Sequence, residues 1–170
     1  VAAVPDSGVD AAIGYAEAAG IPYAKALMIN RYVGRTFIQP TQEQRSTAVR
    51  LKINVIRETV KDKKIVLVDD SIVRGTTCAK LVAMLKEAGA KEVHMRISAP
   101  PFIWPCYFGT DIPSKEHLMA CNYTVEEIRD MIGADSLGFM PVERLPEVVP
   151  DINCGYCDGC FTGKYPYEHE

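Results

Sequence analysis

The chain alternates between short apolar runs and longer segments with one apolar face. Runs typical of strands occupy Val1–Val4, Tyr23–Ile29, Lys64–Val68 and Val93–Ile97. Segments typical of helices occupy Val9–Ala19, Ser46–Val60, Cys78–Ala88 and Val125–Ile132. Strands that alternate with helices usually pair side by side through crossover connections, so the pattern predicts an α/β fold with a parallel sheet.

Turn and capping residues support these helix boundaries. Gly20 and Gly89 follow the first and third predicted helices, where a glycine commonly ends a helix. Thr124 precedes the fourth helix, and Glu127 three positions later has the spacing of a capping box. These signals predict that the fourth helix begins at Val125.

Three stretches follow neither pattern. Asn30–Gln44 mixes Gly, Arg, Thr, Gln and Pro and predicts a long mobile loop, and loops of that length are usually functional. Ala99–Ser114 is rich in proline, and the chain from Gly133 onwards is predicted to be rich in loops. We therefore expect a core domain over residues 1–133 and a cysteine-containing tail over residues 134–170 that packs on it.

The composition is that of an ordinary globular protein, with 48% apolar residues in a chain of 170. The net charge of −3 gives no support for a nucleic-acid-binding or polybasic membrane surface. No apolar run approaches the roughly 20 residues that a membrane-spanning helix needs. We therefore expect neither nucleic acid nor a membrane as a partner. The chain opens at Val1 in a strand-like run without a signal-peptide layout, so we also expect further sequence upstream.

Residues that can carry chemistry follow the apolar run Lys64–Val68. Asp69 and Asp70 come directly after it, at the strand end where parallel sheets bind ligands. Two adjacent carboxylates suit ribose hydroxyls or a hard cation such as Mg²⁺. A polar loop over Ser71–Thr77 then opens a helix, and its hydroxyls and backbone N–H groups suit an anion. Together these features predict a ribose 5-phosphate site.

The phosphate loop is made up of Ser71, Ile72, Val73, Arg74, Gly75, Thr76 and Thr77. It is not a Walker loop, because the Gly-Lys-Ser/Thr ending is absent. Two adjacent aspartates alone would be compatible with a polar turn that carries solvated acids. The succession of strand, acids, Gly-Thr-Thr turn and helix favours a binding site.

The six cysteines are distributed in a way that does not favour disulfides. Cys78 and Cys121 lie in helical or near-helical segments, whereas Cys154, Cys157 and Cys160 are bunched with two residues between successive cysteines. Such spacing favours a metal or cluster site, and both zinc and an iron–sulfur cluster fit the spacing. A reducing cytoplasm is the compartment that suits these cysteines.

Longer strings narrow the interpretation to one family. They are Pro5-Asp6-Ser7-Gly8, Asn30-Arg31-Tyr32-Val33-Gly34-Arg35-Thr36-Phe37-Ile38 and Cys160-Phe161-Thr162-Gly163-Lys164-Tyr165-Pro166. Val66–Thr77 resembles the phosphoribosylpyrophosphate motif of type I phosphoribosyltransferases, and with it the three strings resemble the amidophosphoribosyltransferase family. The resemblance covers nearly the whole chain. It implies the parallel-sheet fold of the type I phosphoribosyltransferases with a loop-rich C-terminal tail.

The resemblance implies roles for individual residues. Asp6, Ser7 and Gly8 would lie at the pyrophosphate end of the substrate, Ser7 would hold Mg²⁺ with Asp69 and Asp70, and Ser71–Thr77 would hold the 5-phosphate. A flexible loop that closes over the substrate would contain Arg31, Tyr32, Gly34, Arg35 and Thr36.

The resemblance also implies a reaction. Phosphoribosylpyrophosphate would lose pyrophosphate through a transition state like an oxocarbenium ion, and ammonia would give 5-phosphoribosylamine in the first committed step of purine synthesis. No covalent nucleophile is expected from this chain. Without the family's glutaminase domain, these residues would use at most free ammonia. The resemblance further implies purine nucleotide inhibitors and a homo-oligomer, although Ile29 stands where family members usually carry lysine.

For the cysteines, the resemblance implies a structural 4Fe–4S cluster. Its ligands here would be Cys106, Cys157 and Cys160, and the fourth would come from upstream sequence. Two other functions remain open. A salvage enzyme that uses a purine or pyrimidine base would share the acidic pair and phosphate loop but would lack the cysteine tail. A ribose-phosphate-binding regulator would keep the fold without turnover.

Overall fold

A computed structural model describes residues 1–30, 53–109, 114–148 and 154–167 of the chain. Most of the predicted loop Asn30–Gln44 lies outside these ranges, including Arg31, Tyr32, Gly34, Arg35 and Thr36. The first part of the predicted helix Ser46–Val60 also lies outside them.

The strands form two sheets. In chain order they are β1 (Ala2–Ala3), β2 (Leu27–Ile29), β3 (Ile53–Val55), β4 (Lys64–Asp69), β5 (Glu92–Ile97) and β6 (Ser136–Phe139). The larger sheet has the order β1-β4-β5-β6, and all of its neighbours are parallel. The smaller sheet is an antiparallel pair of β2 and β3. The predicted α/β fold with a parallel sheet is therefore confirmed.

Helices connect and cover the strands. They are α1 (Val9–Ala19), α2 (Arg57–Val60), α3 (Thr76–Glu87), α4 (Met119–Asn122), α5 (Val125–Ile132), α6 (Leu145–Val148) and α7 (Gly159–Thr162), with 3₁₀ turns at Lys115–His117 and Val142–Arg144. The predicted bounds of α1 and α5 are confirmed. Thr124 caps α5 by a reciprocal capping box with Glu127, as its spacing predicted. None of these helices is long and apolar enough to cross a membrane.

The helix predicted over Ser46–Val60 is wrong over Ile53–Val55 and confirmed over Arg57–Val60. Ile53–Val55 forms the strand β3, and helix begins only at Arg57. Ile53 is buried and Asn54 is exposed, so the segment alternates as a half-buried strand does. Ile53 and Ile56 have the spacing of a helix face, whereas Ile53 and Val55 have the spacing of a strand face. Pairing with Leu27–Ile29 decides in favour of the strand.

The strand β6 was not predicted, because its segment falls in the stretch expected to be rich in loops. Ser136-Leu137-Gly138-Phe139 is neither a continuous apolar run nor strongly buried, so its pattern gives little sign of a strand. It nevertheless pairs with β5 from His94–Ser136 to Ile97–Phe139. The central sheet therefore continues past residue 133, while the division of the chain into two domains at that point stays a prediction.

The two faces of the central sheet are covered differently. On one face, Leu67 and Met95 are fully buried in the main core together with residues of α3 and α5 such as Leu85 and Ile128. On the other face, Val68 packs with Ala3 of β1 and Ala12 of α1. β1 and β4 thus contribute alternate side chains to two cores, as in parallel sheets with helices on both faces.

The turn between β1 and α1 packs closely against the end of β4. A Cβ added to Gly8 would lie 2.5 Å from the Val68 carbonyl oxygen and 3.2 Å from the Asp69 Cα. The Gly8 N–H donates to the Val4 carbonyl oxygen, and the Gly8 carbonyl accepts from Ala12, so this residue joins the strand to the helix. No larger residue fits here without a shift of the backbone of one of these elements.

This packing predicts opposite effects for two glycines of the same region. Gly8→Ala should lower the free energy of unfolding by about 1–3 kcal/mol, as overpacking does. Gly14→Ala should raise it by about 0.5–1 kcal/mol, because Gly14 lies inside α1 with no atom near its added Cβ. Chemical denaturation of both variants measures the effects. Equal effects of the two substitutions would contradict the close approach at Gly8.

Candidate functional site

The turn after β1 and the acidic end of β4 come together. The Ser7 hydroxyl donates to Asp70 Oδ1 at 3.0 Å, across 63 positions of sequence. The Pro5-Asp6 peptide bond in the same turn is cis. Two segments that the sequence marked separately, Asp6–Gly8 and the acidic pair, thus form one edge of the sheet. This is the carboxyl edge, where parallel sheets bind ligands.

Asp70 is the exposed member of the acidic pair. Its carboxylate accepts from Ser7 and, through Oδ2, from the Ser71 hydroxyl at 3.1 Å. Partial burial alone would raise the pKa of Asp70, but hydrogen bonds from Asp69, Ser7 and Ser71 outweigh it, and the pKa is lowered from its ordinary value. Asp70 is therefore an exposed carboxylate that two hydroxyls hold in place.

Asp69 is the buried member of the pair, with 5% of its surface exposed. Its Oδ1 accepts from the Asp70 N–H at 2.9 Å, and its Oδ2 lies 3.8 Å from the Cys78 thiol. Burial is the main cause that raises the pKa of Asp69, a hydrogen bond with Asp70 and the charge of Asp70 add to it, and the pKa reaches about 7. The adjacent acids thus shift in opposite directions and act as a coupled pair.

The backbone of the acidic pair is fixed from the neighbouring strand. The Ser98 N–H donates to the Asp69 carbonyl oxygen and the Ala99 N–H to that of Asp70, both at 3.0 Å. The Ser98 hydroxyl adds a contact to the Asp69 carbonyl oxygen at 3.3 Å. No sequence pattern indicates this support, because Ser98 is close to the acids only through the pairing of β4 with β5.

The phosphate loop has one buried anchor and an exposed polar surface. Ile72 is buried in the main core, whereas Arg74, Thr76 and Thr77 are exposed. Gly75 takes a left-handed φ of 69° immediately before α3 and makes no side-chain cap, so the first N–H groups of α3 lack a side-chain acceptor from the cap residue. A helix start of this kind suits an anion, since the unpaired N–H groups and the helix dipole both favour negative charge.

The oxygen atoms of Ser7, Asp69 and Asp70 are hard ligands of the kind that Mg²⁺ prefers. Asp70 fits this role directly, because it is open and its oxygens are already oriented by hydroxyls. Asp69 fits less directly, because both of its oxygens are engaged within the fold. The donor set is therefore compatible with the cation, with Asp70 as its most accessible member.

Two of the three predicted cluster ligands pack against the same small core. Cys106 and Cys160 both border the small core around Phe102 and Leu118. Burial raises the pKa of Cys160, and repulsion from Cys106 and Cys157 raises it further, so these thiols lie within electrostatic reach of one another. The Cys160 carbonyl also accepts from two backbone N–H groups of the segment before Cys106. Among the residues in the described ranges, however, no three His, Cys, Asp or Glu side chains are arranged to hold a metal ion.

Comparison with known sequences matches this site to a family. A family model described as "Phosphoribosyl transferase domain" matches residues 10–100, which include the acidic pair and the phosphate loop. The chain is 58% identical over 168 residues to the amidophosphoribosyltransferase of Archaeoglobus fulgidus and 56% identical over 172 residues to that of Bacillus subtilis. It covers 37% and 36% of these relatives' lengths, while the matches include 98% and 99% of the chain.

A solved structure supports the same relationship. The glutamine phosphoribosylpyrophosphate amidotransferase of Bacillus subtilis complexed with ADP and GMP superposes with a TM-score of 0.86 at 54% identity, over 98% of this chain and 38% of that one. The family match covers β4 and β5 of the parallel sheet and the acidic pair at the end of β4. The chain therefore belongs to the phosphoribosyl transferase domain family.

Proposed function

We propose that this chain binds phosphoribosylpyrophosphate and is the phosphoribosyltransferase portion of an amidophosphoribosyltransferase. That enzyme transfers glutamine-derived ammonia to phosphoribosylpyrophosphate, giving 5-phosphoribosylamine and pyrophosphate in the first committed step of purine synthesis. The observation that carries the proposal is the Ser7–Asp70 hydrogen bond, which joins the turn at Gly8 to the acidic pair beside the start of α3. The curated relatives at 56–58% identity are named for this activity.

The parts of the substrate would divide among three groups of residues. The 5-phosphate would lie at Ser71–Thr77, where the start of α3 presents N–H groups and the hydroxyls are exposed. The pyrophosphate would lie at Asp6–Gly8, and Asp70 would face the ribose between them. Mg²⁺ held by Ser7, Asp69 and Asp70 would neutralise charge on the departing pyrophosphate.

In the reaction, the bond from the anomeric carbon to the pyrophosphate oxygen breaks and a bond to the ammonia nitrogen forms. The electron pair of the broken bond leaves with pyrophosphate, and the ammonium product loses a proton to solvent. None of the described side chains at the site need act as a covalent nucleophile. The chain would contribute by binding and orienting the substrate, with dipoles already fixed before the reaction.

The supply of ammonia concerns sequence beyond these residues. The chain spans about a third of the length of the curated relatives it matches, so the glutaminase step would belong to the remainder of the protein. The residues described here would use free ammonia at most when tested alone. We also propose that the whole protein is a homo-oligomer of the cytoplasm, a compartment that suits six cysteines that form no disulfide within the described residues.

Purine nucleotides are proposed as inhibitors of the same protein. The Bacillus subtilis structure at 54% identity contains ADP and GMP. A nucleoside monophosphate shares its ribose 5-phosphate with the substrate and could occupy the same helix start. Because Ile29 replaces the cation usual in the family, the charge that meets these nucleotides would differ here.

We propose a structural 4Fe–4S cluster held by Cys106, Cys157 and Cys160, with its fourth ligand from elsewhere in the protein. The contact of Cys106 and Cys160 with one small core supports this grouping. The exposure of Cys157 is consistent with a ligand that faces a further segment of the protein. The transfer reaction needs no electron, so the cluster would tie the tail to the body of the enzyme.

The substrate assignment predicts that the acidic pair is required for binding. Asp69→Asn and Asp70→Asn should each weaken Mg²⁺-dependent binding of phosphoribosylpyrophosphate by about tenfold or more, equivalent to about 1.4 kcal/mol. Asp130→Asn is the matched control, because Asp130 is exposed on α5 and pairs only with Arg129 among the contacts described. Isothermal calorimetry measures the three affinities. Equal affinities for all three variants would overturn the assignment.

The cluster assignment predicts a selective loss on substitution of its ligands. After anaerobic reconstitution, Cys157→Ser should abolish bound iron and sulfide, whereas Cys78→Ser and Cys121→Ser should retain both. Cys78 serves as a control because it is buried beside Asp69 and away from the tail. Iron and sulfide analysis provides the measurement. Stoichiometric zinc without sulfide in the unsubstituted protein would show that the cluster is wrongly assigned.

A further inference from the structure

The phosphate loop is supported from one side by Met119 of α4. The Met119 N–H donates to the Val73 carbonyl oxygen at 2.9 Å. Its thioether lies against Gly75, since a Cβ added to Gly75 would overlap the Met119 sulfur and stand 3.1 Å from its Cε. The side chain is 7% exposed. Met119 therefore contacts the loop through both its backbone and its side chain, although 44 positions separate it from Gly75.

We propose that Met119 is a positioning residue for the 5-phosphate site, which holds Gly75 and the start of α3 in the form that binds an anion. The inference rests on the proposed function and extends it to a residue outside the phosphate loop and the acidic pair. Met119 itself would not touch the substrate. It acts through Gly75, whose φ of 69° sets the direction of the first N–H groups of α3.

Gly75 needs a restraint from outside because its backbone is conformationally free. Glycine takes left-handed and right-handed conformations about equally readily, so its own backbone does not specify φ. An anion site made of backbone N–H groups needs these groups fixed before the ligand arrives, because ordering them on binding lowers affinity. Packing against a thioether supplies this restraint, and the flexible, unbranched Met side chain can fit the narrow space beside Gly75.

Neighbouring residues in the chain hold Met119 in place by packing against the small core around Phe102. Leu118 is fully buried in the small core that Phe102 centres, and Val73 packs against the same core. The Cys121 thiol donates to the Ile103 carbonyl oxygen at 2.9 Å, and this bond ties α4 to the segment that precedes Cys106. Because α4 is anchored on that side, Met119 cannot withdraw from Gly75 without disrupting these contacts.

The Met119 side chain is also part of the main core. Met119 shares the core with Ile72, the buried anchor of the loop, and with Ile132, whose side chain lies 3.5 Å from the added Cβ of Gly75. A purely structural role would therefore reduce stability on truncation and leave ligand affinity unchanged in the folded fraction. A positioning role would reduce affinity as well.

The experiment measures binding of ribose 5-phosphate and of Mg²⁺-phosphoribosylpyrophosphate by calorimetry, at a temperature where circular dichroism shows each variant folded. Met119→Ala should weaken both ligands by about tenfold or more, because a small misplacement of binding groups has effects of that size. Met119→Leu, which nearly conserves volume, should restore affinity to within about threefold. Leu85→Ala truncates a fully buried residue at the far end of α3 and should leave affinity unchanged.

Hydrogen exchange supplies a second readout. Amide exchange of residues 73–77 should become faster in Met119→Ala and return to the original rate in Met119→Leu. If Met119→Ala does not fold, Met119→Val takes its place in both measurements. Unchanged affinity in the truncated variant, beside normal binding by the unsubstituted protein, would overturn this inference alone. Failure of the unsubstituted protein to bind either ligand would overturn the proposed function and this inference together.

Discussion

The architecture of the site depends on the absence of a side chain at Gly8. Because Gly8 has no Cβ, the start of α1 can lie directly against the end of β4. This close approach brings Ser7 within hydrogen-bonding distance of Asp70 and aligns two strand ends into a single ligand-binding edge. A looser contact at this point would leave the turn and the acids as two separate surface features.

The acidic pair shows how neighbouring residues of one type acquire different tasks. Asp69 points into the fold, where Cys78 and a backbone N–H engage its oxygens, while Asp70 is open and is oriented by two serine hydroxyls. Asp69 is the last residue of β4 and faces the main core beside Cys78, whereas Asp70 follows the strand and faces Ser7. The inner acid shapes the backbone at the strand end, and the outer one remains available to a ligand or cation.

Much of this arrangement could be predicted from the sequence, and what could not depends on long-range contacts. Asp69–Thr77 was predicted because strand, acids, glycine and helix follow one another locally. Ile53–Val55 was wrongly predicted as helix, since its apolar spacing fits both periods and only its partner β2 decides between them. Met119 and Ser98 carried no sequence signal, because each contacts the site through an element distant along the chain.

The strand Ser136–Phe139 gives the C-terminal part of the chain a protective role. It occupies the edge of the central sheet and pairs with β5, whose alternate residues Val93, Met95 and Ile97 are buried. A chain shortened at residue 133 would expose the backbone N–H and C=O groups of β5 along a strand with one apolar face. Such an edge is a template for pairing with other chains. In shortened variants, this uncovered edge would therefore promote aggregation.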